Sequence, residues 1–279
     1  MNAPKLVQAD IAVRARELLG AMHRAADAAA QYIAERSLHR DTLAWRSKAH
    51  QDYVSDVDTG AERIVRETLL AAAPDAHILG EELSPDATVD ARALFVVDPL
   101  DGTTNFLHGY PQYAVSIALV LDGTIAAGVV RNVVSRETFA ALLGEGATRD
   151  GVPIRVSLID DPSLALVGTG IPFRTPEQLP PYLRQLAAVA RATAGVRRAG
   201  SAALDLCDVA CGRFEAFWEL MLSPWDFAAA ALIVREAGGI ITAIGGGPLP
   251  LAPSSVLAGT SSMHAWLDAL LARAVRDDA

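Results

Sequence analysis

The stretch "VVDPLDGTTNF", residues 96–106, places two aspartates three positions apart at the end of an apolar run. A glycine and two threonines follow the second aspartate, Asp101. A buried β-strand that ends in a glycine turn with small hydroxyl residues is the arrangement in which α/β proteins hold ligands. The pattern therefore predicts that Asp98 and Asp101 contribute to a polar binding site at one edge of a sheet.

The composition is that of an acidic chain with enough apolar residues for a large core. The 279 residues are 51% hydrophobic and carry a formal net charge of −9. This length fits one large domain or two closely packed ones, and we predict a single domain with two packed halves, approximately 1–150 and 151–279. The negative charge argues against a nucleic-acid partner or an anionic membrane, because both would be repelled.

The sequence also predicts a cytoplasmic protein. Its start, "MNAPKLVQAD", has no apolar stretch of signal-peptide length, and no run is apolar enough to cross a bilayer. Cys207 and Cys211 lie four residues apart, the spacing of one helix face. We interpret them as small buried apolar residues, with a metal or redox pair as the alternative, because no second pair of soft ligands lies near.

Hydrophobic periodicity predicts the elements of the first half. Apolar residues at helical spacing indicate a long amphipathic helix over about residues 8–36. In "DTGAERIVRETLLAAAP", Thr59 and Glu62 have capping-box spacing, which would place Asp58 just outside the start of a second helix. Three β-rich runs predict an antiparallel meander that continues the sheet of Asp98: "YAVSIALVLDG", "TIAAGVVRN" and "ETFAALLGEG".

A shorter second set of elements follows. The predicted order is a strand near "LALVGTG", a helix over roughly 177–194, the strand "GVRRAG", a helix over 201–211 that Gly212 ends, the strand "EAFWEL" and the helix "SPWDFAAAALIVREAGG". The loop "GGGPLPLAP", 245–253, does not divide domains.

Four acidic clusters lie at predicted strand ends or helix starts. They are "DYVSDVD" over 52–58, the pair Glu81 and Glu82, the pair Asp98 and Asp101, and Asp226. Each has a local alternative. Asp58 could stabilise a helix dipole, the glutamates could form a solvated turn, and Asp226 could be the N3 residue of a capping box with Ser223.

Taken together, the four clusters indicate one cleft. Carboxylates crowded there without a counter-charge would repel one another strongly, and bound cations would relieve that repulsion. Oxygen-only ligands suit Mg²⁺, and no histidine motif is present for zinc. Backbone N–H groups at the helix start after Asp101 would form an anion site, for which phosphate is the natural ligand. A second such site follows Gly200-Ser201-Ala202, where the alternative is an ordinary serine N-cap.

Four motifs, in this order and spacing, resemble the inositol monophosphatase family, especially its bacterial members: "GEE", "DPLDGTTNF", "GSAALDL" and "PWDFAAAALIVREAGG". The likeness spans roughly residues 10–270. It implies an α/β fold, a layered αβαβα sandwich of the inositol monophosphatase and fructose-1,6-bisphosphatase type. It also implies a homodimer that hydrolyses small phosphate monoesters with two or three Mg²⁺ ions and is inhibited by Li⁺.

The resemblance also implies roles for individual residues. Metal ligands would be Glu81, Asp98, the carbonyl of Leu100, Asp101 and Asp226. Glu81 and Thr103 would hold the attacking water, and Asp58 would orient Thr103. The substrate would meet Asp101, Gly102, Thr103, Gly200, Ser201, Ala202, Glu219 and Asp226, with Glu219 exposed at a strand end.

Two positions depart from the family's pattern: Ser55 and Ala199 stand where threonine is common. We predict an inositol-1-monophosphatase. The alternatives are a histidinol-phosphate, fructose-1,6-bisphosphate or nucleotide 3′-phosphate phosphatase, and a non-catalytic metal- or phosphate-binding regulatory module. A haloacid-dehalogenase type of phosphatase is disfavoured, because its two aspartates lie two positions apart in D-x-D and those here lie three apart.

Overall fold

The computed structural model describes residues 8–42, 45–49, 52–87 and 91–276. The opening residues 1–7, on which the prediction about the N-terminus depends, lie outside the described residues. Within the described ranges the chain forms seven α-helices: α1 Gln8–Ser37, α2 Asp56–Ala72, α3 Thr103–His108, α4 Leu179–Ala192, α5 Ala202–Ala210, α6 Pro224–Glu236 and α7 Ser261–Arg276.

The strands form one hairpin and two sheets. The hairpin pairs β1 Trp45–Ala49 with β2 Asp52–Ser55. The first sheet contains, in spatial order, β3 His77–Gly80, β4 Ala93–Asp101, β5 Ala114–Leu121, β6 Thr124–Asn132, β7 Thr138–Leu142, β8 Gly146–Arg149 and β9 Val152–Pro153. Only β3 and β4 are parallel, and β4 to β9 form an antiparallel meander. The predicted meander is thereby confirmed.

The second sheet is mixed. Its strands are β10 Leu166–Thr169, β11 Gly195–Arg197, β12 Ala216–Leu222, β13 Ile240–Thr242 and β14 Ser254–Gly259. They lie in the spatial order β11-β10-β12-β14-β13, with β10 parallel to both of its neighbours. Strands β13 and β14 and helix α7 were not predicted from the sequence. The buried residues Met263, Leu267 and Leu271, four apart, are the helical signal for α7.

Helices and sheets alternate in five layers. Helices α1 and α2 cover one face of the first sheet, where Met22 and Phe95 are fully buried. Helices α5 and α6 lie between the sheets around Phe227, and α4 and α7 cover the outer face of the second sheet at Trp218 and Leu267. Because a sheet must bury its apolar faces against other elements, this stacking explains the all-apolar strands. The predicted αβαβα sandwich is confirmed. That its two halves form a single domain stays a prediction, which the shared central core supports.

Helix α2 begins earlier than the sequence indicated. Ser55 is its N-cap: the serine hydroxyl accepts from Val57 N at 3.1 Å, and Asp58 Oδ2 accepts from Ser55 N at 2.8 Å. The predicted capping pair Thr59 and Glu62 was therefore wrong. Two capping-box patterns follow one another directly, over residues 55–58 and 59–62, and Glu62 is buried against another segment instead of capping the helix.

Two further predictions can be compared with the fold. Neither Cys207, which is buried in α5, nor the half-buried Cys211 forms a disulfide, as expected for apolar packing residues. None of the helices in the described ranges combines the length and apolar character that spanning a bilayer requires.

Candidate active site

A cavity of about 490 Å³ lies where the two sheets meet, and it collects nearly all of the predicted site residues. Its lining includes Glu81, Asp98, Leu100, Asp101, Gly102, Thr103, Gly200, Ser201, Ala202, Glu219 and Asp226. Asp58 is buried behind Thr103. The acidic segments that are separated in the sequence thus contribute to one cleft. Asp52 belongs to the same predicted cluster as Asp58, but its side chain is not among those that the structure describes.

An irregularity in β4 explains how two aspartates three positions apart serve one cavity. In a regular strand, residues i and i+3 point to opposite faces. Here Asp98 pairs with Ser116 and Asp101 pairs with Ala114, so three steps along β4 match two along β5. The extra residue of this bulge turns both carboxylates toward the cavity.

Asp101 is held from the second half of the chain. Its Oδ2 accepts hydrogen bonds from Ser201 Oγ at 2.5 Å and from Ala203 N at 2.8 Å. Ser201 occupies the N-cap position of α5, yet its hydroxyl makes no capping bond. The interpretation of Ser201 as an ordinary N-cap is therefore wrong, because its hydroxyl donates to Asp101.

Asn105 makes a second connection between the same two segments. Its Nδ2 donates to Gln112 O at 2.7 Å and to Ala199 O at 2.8 Å. Ala199 takes part through its backbone carbonyl, so alanine in place of the family's threonine leaves this contact intact.

The partly buried Thr103 hydroxyl is paired with the buried carboxylate of Asp58. Thr103 Oγ1 donates to Asp58 Oδ1 at 2.8 Å and lies 3.1 Å from Leu100 O. The other carboxylate oxygen of Asp58 accepts from Ser55 N and, at 2.6 Å, from Ser55 Oγ. Asp58 therefore caps α2 with one oxygen and orients Thr103 with the other. Burial raises the pKa of Asp58, and the hydrogen bonds from Ser55 and Thr103 oppose that shift.

The carboxyl groups of the cavity share a strong preference for bound protons. Burial raises the pKa of Asp98 well above its usual range, and the nearby charges of Glu81, Asp101 and Asp226 raise it further. The pKa of Asp226 is raised in the same way, by burial and then by Glu81 and Asp101. For Asp101, burial raises the pKa to about 6 although hydrogen bonds from Ser201 and Ala203 lower it. A cation bound among these carboxyl groups would favour their charged forms and displace any bound protons.

The donor set fits a hard cation without being closed around one. Across the ranges that the structure describes, no three Asp, Glu, His or Cys side chains converge as a preassembled metal-binding group. Among the described residues, Leu100 N donates to one oxygen of Asp98 at 2.9 Å and Ser223 N donates to one oxygen of Asp226 at 2.7 Å. The other oxygens, with Glu81 and the Leu100 carbonyl, are the oxygen-only set that Mg²⁺ prefers. Asp226 is thus also the N3 capping residue of α6, as its local alternative predicted.

Two arginines that the sequence interpretation did not include, Arg174 and Arg198, line the same cavity and offset part of the carboxylate charge. The Arg198 guanidinium lies 5.2 Å from the centre of the Phe173 ring. Arg198 lowers the pKa of Asp101, and Arg174 lowers that of Asp226, but burial dominates in both cases. The doubled arginine of "GVRRAG", next to the glycine-serine motif, was the available signal for Arg198.

Glu219 was predicted to be exposed, and the structure contradicts this. The residue is half-buried in β12 and lines the cavity. Burial raises its pKa to about 8, against the opposing charge of Arg198. A Cβ at Gly170 would lie 2.0 Å from the Glu219 carboxyl carbon, so a glycine opposite the strand end leaves the space that the carboxyl group occupies.

Asp205 is a cavity residue that sequence reasoning missed. It lies in α5 and is 2% exposed, and none of the described residues donates a hydrogen bond to its buried Oδ1. Burial raises its pKa well above the usual range. The signal was an aspartate in a helix whose neighbours in "GSAALDL" are apolar.

The layered sandwich and its carboxylate-lined cavity at the junction of two sheets place the protein in a class of α/β phosphatases. The chain belongs to the inositol monophosphatase family, whose sequence model matches residues 14–278. The family recognised in the sequence is thereby confirmed.

Curated relatives carry two kinds of name. The chain is 43% identical to the Nus factor SuhB of Pseudomonas aeruginosa, over 85% of this chain and 89% of that protein. It is 42% identical to the inositol-1-monophosphatase of Rhizobium meliloti, over 88% of this chain and 94% of that protein. Among solved structures, the inositol monophosphatase from Anabaena superposes with a TM-score of 0.81 at 35% identity, covering 91% of this chain and 95% of that one.

Proposed function

We propose that the protein is a Mg²⁺-dependent phosphate monoester hydrolase, and specifically an inositol-1-monophosphatase. The observation that carries the proposal is the 2.8 Å contact between Thr103 Oγ1 and Asp58 Oδ1 beside the carboxylate cluster. A site that only bound an anion would not need a buried proton acceptor behind a hydroxyl. In a hydrolase that activates water without histidine, such an acceptor can take the proton that the water loses.

The metal would be held by Glu81, Asp98, Asp101, Asp226 and the Leu100 carbonyl. When bound, Mg²⁺ lowers the pKa of the attacking water and neutralises charge on the phosphate and leaving oxygens. The protein's part is to bring these oxygens together from β4, α6 and the turn after β3.

The chain's own groups would position the water and accept its proton. Because the Thr103 hydroxyl donates to Asp58, its lone pairs are free to accept a proton from a water held between Thr103 and Glu81. As Thr103 gains that proton it passes its own to Asp58 Oδ1. The backbone at Gly102 and Thr103 would hold the phosphate. Gly102 has φ +94, and a Cβ there would lie 2.9 Å from Gln112 O, so the turn requires glycine.

The far side of the cavity favours a leaving group with several hydroxyls. Glu219 and Asp205 line this part of the cavity with carboxyl groups, and among the described residues no protein donor reaches the buried Oδ1 of Asp205. A polyol supplies such donors, which supports inositol 1-phosphate over esters that lack them.

The direct test is phosphate release from a panel of inositol, histidinol, sugar and nucleotide phosphates, with Mg²⁺ and with a chelator. We expect turnover only with Mg²⁺ and the highest kcat/KM for inositol 1-phosphate, because that leaving group offers the most donors. A higher kcat/KM for another ester would identify that ester as the preferred substrate instead of inositol 1-phosphate. Tight phosphate binding without turnover on any ester would favour the non-catalytic module.

A prediction on substrate choice follows from Glu219. Glu219→Gln should raise KM for inositol 1-phosphate far more than for glycerol 2-phosphate, because the smaller ester does not reach it. Gly170→Ala should act in the same direction, since a methyl group there would displace the carboxyl group without removing it. Steady-state kinetics of both variants on both esters measures this. Equal changes in KM for the two esters would exclude Glu219 from substrate recognition.

A regulatory role is the second candidate, because relatives named Nus factor SuhB are as similar to this chain as a named phosphatase. We propose that any such role accompanies catalysis, since the chain retains the full set of catalytic and metal-ligand candidates. The homodimer, inhibition by Li⁺, the cytoplasmic location and the absence of a nucleic-acid partner stay predictions.

A further inference from the structure

Glu62 is a fully buried glutamate that neither the family resemblance nor the proposed mechanism uses. It lies in α2 and is 0% exposed. Its Oε2 accepts two backbone hydrogen bonds from a segment about twenty residues away, from Glu82 N at 2.8 Å and from Leu83 N at 3.1 Å. A buried carboxylate is costly to keep in a core, and here backbone donors compensate for its burial.

Those two hydrogen bonds act on the turn that carries Glu81. The Glu82 N–H belongs to the peptide group that also contains the Glu81 carbonyl, so Glu62 fixes the peptide plane after Glu81. The plane before it is fixed by Glu81 N, which donates to Val97 O at 3.3 Å, one residue from Asp98. With both flanking planes held, the direction in which the Glu81 side chain leaves the backbone is set relative to Asp98.

Gly80 supplies the space that this arrangement needs. A Cβ at Gly80 would lie 2.2 Å from Glu62 Oε1, far inside van der Waals contact. Ser84 closes the same turn: its Oγ donates to Ile78 O at 2.8 Å and accepts from Arg66 Nη1 at 2.9 Å. The carboxylate of Glu62 therefore occupies a site built for it by the turn.

We propose that Glu62 is a positioning residue for Glu81, and that Glu62 and Gly80 together set the affinity of the cavity for its cation. The inference rests on the proposed function for one point only, that Glu81 is a cation ligand. Groups that orient metal ligands typically change metal affinity by roughly 10- to 100-fold when they are removed.

The test uses the full chain and Mg²⁺ alone. Isothermal titration calorimetry measures Mg²⁺ affinity in the wild type, Glu62→Ala, Glu62→Gln and Gly80→Ala, and hydrogen exchange follows the amides of residues 82 and 83. We expect Glu62→Ala and Gly80→Ala to weaken Mg²⁺ binding about tenfold or more and to speed exchange of both amides. Glu62→Gln should lie between them and the wild type, because its amide oxygen still accepts a hydrogen bond. Glu67→Gln, on the exposed side of the same helix, is the matched control.

Two results would overturn the proposal. One is an unchanged Mg²⁺ affinity in folded Glu62→Ala or Gly80→Ala whose 82 and 83 amides exchange faster, since Glu62 would then hold the turn without affecting the cation. The other is a wild type that binds no Mg²⁺, which would remove the proposed function as well. If Glu62→Ala fails to fold, Gly80→Ala decides, because it keeps the carboxylate and displaces it.

Discussion

Asp58→Asn and Thr103→Ala should each lower kcat at least about a hundredfold, in line with the roughly 10² to 10⁴ that positioned acid–base groups contribute. Asp58 Oδ1 accepts a hydrogen bond from the Thr103 hydroxyl at 2.8 Å. Either change therefore removes the path by which a proton could leave the attacking water. Mg²⁺ affinity should stay nearly intact, since neither side chain is a proposed ligand. The double variant should be little worse than either single one, because residues that act as one unit are not additive.

The second role of Asp58 supplies the control. Its Oδ2 caps α2 through Ser55, and a charge at a helix N-terminus stabilises a protein by only roughly 0.3 to 1 kcal/mol. Ser55→Ala weakens this capping network and leaves the contact between Thr103 and Asp58, so it should lower the melting temperature with kcat near that of the wild type. If Asp58→Asn also turns over at a near-normal rate and merely melts a few degrees lower, Asp58 is a helix-capping residue and Glu81 activates the water alone.

Asp98→Asn should abolish Mg²⁺-dependent turnover while leaving the metal-free protein at least as stable as the wild type at neutral pH. The asparagine oxygen can still accept from Leu100 N, so the local backbone is retained. The substitution also removes a carboxyl group whose charged form is disfavoured by burial and by Glu81, Asp101 and Asp226. Thermal melts with Mg²⁺ and with chelator, alongside phosphate release, measure both effects. Mg²⁺ should raise the melting temperature of the wild type and have little effect on the variant.

The pH dependence of the metal-free protein extends this prediction. Groups with raised pKa values bind more protons in the folded state than in the unfolded chain, so their stabilising contribution is complete below the unfolded pKa. The stabilising contribution of Asp101 is lost as the pH rises from 3.8, the usual pKa of an aspartate, through about 6, the pKa of Asp101 in the folded protein. Stability without metal should therefore fall over this interval, and less steeply in Asp98→Asn. A wild type whose metal-free stability rises between pH 4 and 6 would contradict the described electrostatics.

Local sequence patterns predicted the meander because its strands are continuous apolar runs, whereas the αβαβα layering was implied by the family resemblance. They failed at the start of α2, where "SDVD" and "TGAE" both satisfy the capping-box spacing. A tertiary contact decides which of the two patterns caps the helix. Glu62 accepts hydrogen bonds from the Glu82 and Leu83 amides and is therefore not available as a capping residue. A propensity argument contains no information about such a contact.

The sequence motifs identified most of the site residues but not their environment. Its carboxylates and Thr103 lie in recognisable motifs and line one cavity. The environment of Glu219 was not predictable, because the exposure of a strand-end residue depends on what packs opposite it, here Gly170. Asp205 and Arg198 left only weak local signals, an aspartate among apolar helix neighbours and a doubled arginine, and it is the packing of α5 and of the chain after β11 against the cavity that makes both of them site residues.

The hydrogen bonds that cross between the two halves have a mechanical consequence. Asp101 ends strand β4 of the first sheet and Asn105 lies in the helix that follows it, α3. Both side chains nevertheless form hydrogen bonds with the second half of the chain, at Ser201, Ala203 and Ala199. Hydrogen bonds weaken steeply as their distance and angle depart from the optimum, so a slight sliding of one sheet against the other would break these contacts. Gentle heating or dilute urea should then abolish catalytic activity while the helices and strands are still intact.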